Sequence, residues 1–371
     1  MQYRRMIMEV ESPEEIGYDL VRYNLAESSM ADRSLGDLAH GLDDLLLSYG
    51  DHRGRQDLRE EIVAASGGGF SPDDVLVSVG AAGALFTVAT TLLSPVDRLL
   101  VTRPNYASNL ETPRAIGADI AILELSLADG FRLNLKAIQH LITPSTKLIS
   151  VTSPHNPTGV VIPWADLEEL ANMAKRAEAY LLVDETYRDL TLSPAPLAAS
   201  LGSHVISVSS LSKTYGVPGL RVGWLICRDQ PVTTRFLAAK EQIALAHSVV
   251  DEALALKLMR RRHKLMPEIL QRVMDHRELV EQWLRGERRL SWVKPEGGVV
   301  CFPRIIEEGI DPSAFYQVLN ERYQTWVGPG HWFEQDPRHF RLGFGYPSTD
   351  DLRTGLLNIS RALDDSTAGG E

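Results

Sequence analysis

From about Asp74 the chain alternates short β-rich runs with longer stretches whose apolar residues recur at helical spacing. The runs are Val75 to Val79, Leu99 to Thr102, Ile120 to Leu123, Leu148 to Thr152, Leu181 to Asp184, Val205 to Ser209 and Val222 to Cys227. Between several of them lie amphipathic stretches such as Trp164 to Ala179, where Leu167, Leu170, Ala171 and Ala174 share one helical face. Strands alternating with helices predict βαβ units, and here an α/β fold: one open, mostly parallel, seven-stranded sheet with helices on both faces.

The pattern changes between Thr234 and Arg285, where Ala253, Leu254, Leu256, Leu258 and Met259 predict a long connecting helix without strands. Beyond it, Leu290 to Val293, Gly298 to Phe302 and His339 to Gly343 read as strands, with helices over Asp311 to Tyr323 and Asp350 to Leu363. The expected organisation is an N-terminal segment, 1–45, that joins the small domain and lines the substrate site; a large domain, 46–275; and a small α+β domain, 276–371. The tail from Asp365 to Glu371 reads as frayed.

Charge narrows the function classes. Thirty-eight Lys and Arg against 49 Asp and Glu leave a formal charge of −11, with the acids scattered, so a nucleic-acid surface is not expected. The longest apolar stretch, Ala81 to Leu93, is too short to span a bilayer and is broken by Gly83 and three threonines. Two cysteines, Cys227 and Cys301, supply no disulfide framework, and no signal peptide opens the chain, so a soluble cytoplasmic protein is expected. No metal site is read.

The strongest chemical signal is Ser210-Leu-Ser-Lys213, followed by Thr-Tyr-Gly-Val-Pro-Gly-Leu-Arg-Val-Gly-Trp224. It comes directly after a β-run, so the lysine stands at the carboxyl end of a sheet strand, where open α/β folds place ligands. A lysine there can act as a Schiff-base nucleophile. Four further segments follow strands or open helices: Gly80-Ala81-Ala82-Gly83-Ala84, Arg103-Pro104-Asn105-Tyr106, Ser153-Pro-His-Asn156-Pro-Thr-Gly159 and Asp184-Glu-Thr-Tyr187. Glycine and alanine at a helix N-terminus let backbone N–H groups approach an anion closely.

Together with Tyr49-Gly-Asp-His-Arg-Gly54 and Arg341, these motifs resemble, in order, those of the fold-type I pyridoxal 5'-phosphate (PLP) enzymes of the class I/II aminotransferase family, over nearly the whole chain. The resemblance implies that Lys213 forms a Schiff base with PLP and then moves the Cα proton of an amino acid. It implies that Asp184 keeps the cofactor's ring nitrogen protonated, that Asn156 and Tyr187 bond its phenolic oxygen, and that Tyr106 stacks on its ring. Gly80, Ala81, Ala82, Ser210 and Arg221 would hold its phosphate, joined by Tyr49 from the neighbouring subunit of a homodimer with shared sites. Arg341 would grip the substrate α-carboxylate.

Near the N-terminus the chain departs from the family's usual Leu-x-x-Gly-x-Pro, reading Tyr23-Asn-Leu-Ala-Glu27-Ser28-Ser29. Glu27 either faces the substrate, where with Ser28 it would favour a cationic, arginine-like side chain, or is a solvated loop residue. A second likeness, through Pro154-His-Asn-Pro, Leu211 to Trp224 and Gly297-Gly-Val-Val-Cys-Phe-Pro-Arg304, is to capreomycidine synthase-type enzymes of antibiotic pathways. Transamination to a 2-oxo acid is the expected reaction. Elimination and cyclisation of a hydroxyarginine-like substrate is the alternative, and a PLP-fold binding module without turnover is the reading from another class.

Overall fold

The computed structural model describes residues 1–38, 41–67 and 69–366. Seven of its strands form one sheet: β1 (Val75–Val79), β2 (Arg98–Arg103), β3 (Asp119–Glu124), β4 (Thr146–Thr152), β5 (Tyr180–Asp184), β6 (Val205–Ser210) and β7 (Val222–Ile226), in the order β1-β7-β6-β5-β4-β2-β3. All neighbours are parallel except β7, which runs antiparallel to both β1 and β6. Each predicted run is a strand, within a residue or two at the ends.

Alternation along the strands sorts side chains to the two faces. Leu76, Leu182, Ile206 and Val208 pack with Ala84, Leu85 and Val88 of helix α1 (Gly80–Leu92) and with Phe236. Leu181, Val183, Ile149 and Val151 point the other way, onto Leu167, Leu170 and Ala174 of α2 (Trp164–Arg176). Both faces are therefore covered, as a mostly parallel sheet requires.

The expected long connecting helix is three helices, Gln230–Glu241, Val249–Arg260 and Arg262–Gly286, with breaks near Ser248 and Arg261. Ser248 caps the second by accepting from the Asp251 N–H, a stop-and-start that hydrophobic spacing alone does not reveal. The C-terminal strands are shorter than expected: Leu290–Ser291 pairs with Arg304–Ile305, and Val300–Cys301 with Phe340–Gly343. The segment read as a helix from Asp311 to Tyr323 is α-helical only over Pro312–Gln317 and continues as a wider π-helical turn, Val318–Arg322. Asp365 still belongs to the last helix, Thr349–Asp365, and Ser366 is buried beside it, so the frayed reading fails there; residues 367–371 lie outside those described.

The N-terminal segment is tied to the C-terminal part. Tyr23–Asn24 pairs in parallel with Thr325–Trp326, and Gly343 N–H donates to the Leu25 carbonyl. Any Cβ at Gly343 would meet the Glu27 carbonyl oxygen at 1.7 Å, so only glycine admits the chain this close. Among the described residues no helix is long and apolar enough to cross a membrane.

Candidate active site

The sheet directions bring the motifs to one edge. Tyr106 follows the carboxyl end of β2, Asn156 that of β4, Asp184 closes β5 and Lys213 follows β6. Because β7 is antiparallel, its first residues return to that same edge, which puts Arg221 beside Gly80 at the start of α1. Gly80 has φ +66°, and a Cβ there would lie 2.5 Å from an Arg221 guanidinium nitrogen.

A cavity of about 580 Å³ opens at this edge. Lys213, Asp184, Tyr187, Asn156, Tyr106, Ala81, Ala82, Ser210, Arg221, Arg341, Glu27 and Ser28 all line it. Gly80 stands directly behind Ala81, its N–H donating to the Arg221 carbonyl at 2.7 Å. Tyr49 alone among the predicted site residues lies away from the cavity of its own chain, 83% exposed.

Asp184 is buried, and its Oδ1 accepts from the Thr186 hydroxyl at 2.6 Å and the Thr186 N–H at 3.1 Å. Burial raises its pKa above the ordinary carboxylate value, and the two Thr186 hydrogen bonds work against that rise. The Lys213 carbonyl accepts from the Met30 N–H at 2.9 Å, while its ammonium makes no hydrogen bond or ion pair among the described residues. Burial depresses its ammonium pKa, but Tyr187 and the Glu27 carboxylate outweigh burial and leave the pKa raised.

Arg341, only 4% exposed, donates from Nη1 to Asn156 Oδ1 at 3.1 Å and from Nη2 to the Ala26 carbonyl at 2.7 Å. Its guanidinium carbon sits 5.1 Å from the centre of the Phe333 ring. Burial lowers its pKa, and Tyr187 and Glu27 oppose the change. Two buried polar atoms here lack partners: Arg341 Nε and the Tyr187 hydroxyl. A buried donor without an acceptor is costly unless a ligand supplies one.

These observations fit PLP. A buried carboxylate with a raised pKa suits a protonated ring nitrogen, and the unpartnered tyrosine hydroxyl lacks the acceptor that a phenolic oxygen provides. The N–H groups at the start of α1, with Ser210 and the Arg221 guanidinium, form an anion cradle.

Several lining residues escape sequence reasoning. Ser212 and Thr186 stand inside the quoted motifs and were recognisable by position. Glu9, Glu14, Tyr18, Asp32 and Trp332 carried no such signal: they come from short turns of the N-terminal segment and from the loop around Trp332. The segment is pinned by Glu11, whose Oε2 accepts from Trp332 Nε1 at 2.7 Å and pairs with His331 Nε2 at 2.6 Å. Glu9 Oε1 accepts from the Tyr106 hydroxyl at 3.3 Å.

The chain matches the family model for aminotransferase class I and II over residues 28–356. It is 30% identical to capreomycidine synthase of Streptomyces vinaceus over 326 residues, 87% of this chain and 82% of that protein. It is also 30% identical to an arginine–pyruvate transaminase of Pseudomonas aeruginosa over 312 residues, 80% of this chain and 77% of that protein. The fold superposes on a PLP-dependent aminotransferase of Streptococcus suis with a TM-score of 0.91, 26% identity and full coverage of both chains. A chain with this sheet and this site belongs to the class I and II aminotransferase family. It is a PLP-dependent enzyme acting on an amino acid.

Proposed function

We propose that the enzyme transfers the amino group of an α-amino acid with a cationic side chain to a 2-oxo acid. The observation that carries this reading is the convergence of Lys213, Asp184, Asn156, Tyr187 and Arg341 on one cavity. Bound PLP supplies an electron sink for the carbanion left when the substrate Cα loses its proton. Lys213 Nζ attaches the cofactor and then takes and returns that proton. Asp184 holds the proton on the ring nitrogen, Asn156 and Tyr187 bond the phenolic oxygen, and Tyr106 covers the ring. Gly80, Ala81, Ala82, Ser210 and Arg221 hold the phosphate. Arg341 holds the α-carboxylate; its unpartnered Nε supports this, since a carboxylate accepts two donors from one guanidinium.

Glu27 and Ser28 line the substrate side, and a carboxylate there favours guanidinium or ammonium. Likeness to an arginine–pyruvate transaminase supports that preference. The active unit is a homodimer in which Tyr49 reaches the partner's cofactor phosphate, a reading supported by its exposure beside Leu46 and Leu47, 80% and 79% exposed. A large domain over 46–275, a small one over 276–371 with 1–45 joined to it, and a cytoplasmic location with Cys227 and Cys301 unpaired complete the reading.

Likeness to capreomycidine synthase favours a second reading, loss of water and ring closure on a hydroxylated arginine. One experiment separates the two. The PLP-loaded enzyme is given arginine, 3-hydroxyarginine, lysine, aspartate and aromatic amino acids, and products are identified by mass. A 2-oxo acid with the pyridoxamine form of the cofactor supports transamination. Loss of water with the amino group retained supports cyclisation and removes the first reading.

A further inference from the structure

Charge within the cavity is unbalanced. Five carboxylates line it, Glu9, Glu14, Glu27, Asp32 and Asp184, against three cations, Lys213, Arg221 and Arg341. On the reading above, the cofactor and the α-carboxylate engage all three cations and Asp184, and Glu9 accepts from Tyr106. Glu14, Glu27 and Asp32 are left without an ion pair among the described residues; the Ser12 hydroxyl favours the charged Glu14 carboxyl, Tyr346 hydrogen-bonds the Asp32 carboxyl, and Glu27 Oε2 accepts from the Ser28 N–H at 3.3 Å. Glu14 lies in the short helix Pro13–Ile16, and Glu27 and Asp32 in irregular chain after Tyr23–Asn24, all within the N-terminal segment. Glu27 is partly buried inside, whereas Glu14 and Asp32 lie nearer the rim, each exposed as a residue but with its carboxyl partly withdrawn from water.

We infer that Glu14 and Asp32 are specificity-determining residues, which together with Glu27 make the cavity mouth a receptor for the distal cation of an arginine- or lysine-like amino acid. The inference rests on the transamination reading and extends it from Glu27 to the rim. The cavity is built for a ligand independently of its acids: Arg341 and Tyr187, each 4% exposed, line it with unpartnered polar atoms. Like charges held together disfavour one another, and a ligand cation relieves this whereas a neutral side chain does not. Burial and then the Glu27 charge raise the pKa of Asp32, and both also act to raise that of Glu14. Rim carboxylates act through the field that draws a cation in, so their effect falls on substrate capture and weakens with salt.

The test compares PLP-loaded wild type with Glu14→Gln, Asp32→Asn and the double variant, using arginine and norleucine at several sodium chloride concentrations. The double variant is expected to lower the arginine-to-norleucine ratio of kcat/KM by roughly three- to twentyfold, mainly through KM, and to flatten its dependence on salt. An unchanged ratio overturns the inference, as does equal slowing of both substrates. Wild type that turns over norleucine as well as arginine overturns the mouth but leaves transamination standing. Wild type that turns over no amino acid overturns both.

Discussion

Arg341 Nη1 donates to Asn156 Oδ1 at 3.1 Å, joining a strand near the C-terminus to the turn after β4, 185 residues earlier. The two groups proposed to hold the substrate carboxylate and the cofactor's phenolic oxygen thus orient each other. With Nη2 fixed by the Ala26 carbonyl, the guanidinium is held before substrate arrives.

Arg341→Ala should therefore cost about 2–5 kcal/mol in kcat/KM for amino acids. Arg341→Lys should recover little of it, because an ammonium cannot reproduce the fork. Steady-state kinetics check both, and near-wild-type kcat/KM in Arg341→Ala would remove the arginine from the site. Asn156→Ala should weaken cofactor retention and substrate capture together.

Lys213 is the one lysine lining the cavity among the described residues. Borohydride reduction of the PLP-loaded enzyme followed by peptide mapping should label Lys213. Lys213→Ala should bind PLP without covalent attachment and lose at least about a hundredfold in kcat, the scale of a missing acid–base group. A label on another lysine contradicts the assignment.

The Thr186 hydrogen bonds favour the ionised Asp184 against the pull of burial. Thr186→Val removes the stronger one, so the Asp184 pKa rises further and the carboxylate protonates at higher pH. The acid limb of the kcat profile should shift upward by roughly one pH unit, since a hydrogen bond to a charged group contributes about 1.5–3 kcal/mol. A profile that superposes on wild type would show that Asp184 does not set that limb.

The sheet and the cofactor half of the site were legible because each motif lies where a β-run ends, and topology brings strand ends to one edge. That Asn156, Asp184 and Lys213 share one edge followed from local pattern plus that rule, while their roles came from the family resemblance. Glu14 and Asp32 could not be found this way. Glu14 sits in a four-residue helix and Asp32 in irregular chain, neither of which shows a periodicity, and the contacts that pin the segment, such as Glu11 with Trp332 across 321 residues, leave no mark on local sequence. The helix break near Arg261 was missed for a related reason: apolar residues continue at helical spacing on both sides of it.

The proposed shared-site dimer makes a prediction of its own. Mixing Lys213→Ala chains with Tyr49→Phe chains should give hybrids with one doubly defective site and one intact site, and activity above either parent. Hybrids no more active than the parents would assign Tyr49 a role within its own chain.

Stability against acid follows from His155, buried in the turn that carries Asn156. Its Nε2–H donates to the Pro104 carbonyl at 3.0 Å and its Nδ1 accepts from the Thr158 hydroxyl at 2.8 Å, so the neutral ring fills both contacts. Burial lowers its pKa to about 4 from 6.5, the Pro104 contact opposing weakly. Below pH 6.5 the unfolded chain takes up a proton that the folded one refuses, so this stabilisation is lost as pH falls toward 4. His339, lowered to about 4 by burial and then by Arg304, has the same sign. Glu185, raised by burial to about 7, has the opposite sign between its unfolded value near 4.5 and that pH. The raised carboxyls of Asp184, Asp32 and Glu14 share the sign of Glu185, so the His155 contribution is read as a difference between two proteins. In urea unfolding at fixed PLP concentration between pH 6.5 and 4.5, His155→Gln should lose less stability toward acid than wild type, by up to about 1.4 kcal/mol per pH unit, the value of one proton. Equal slopes in the two proteins would mean that His155 becomes charged in the folded state without penalty.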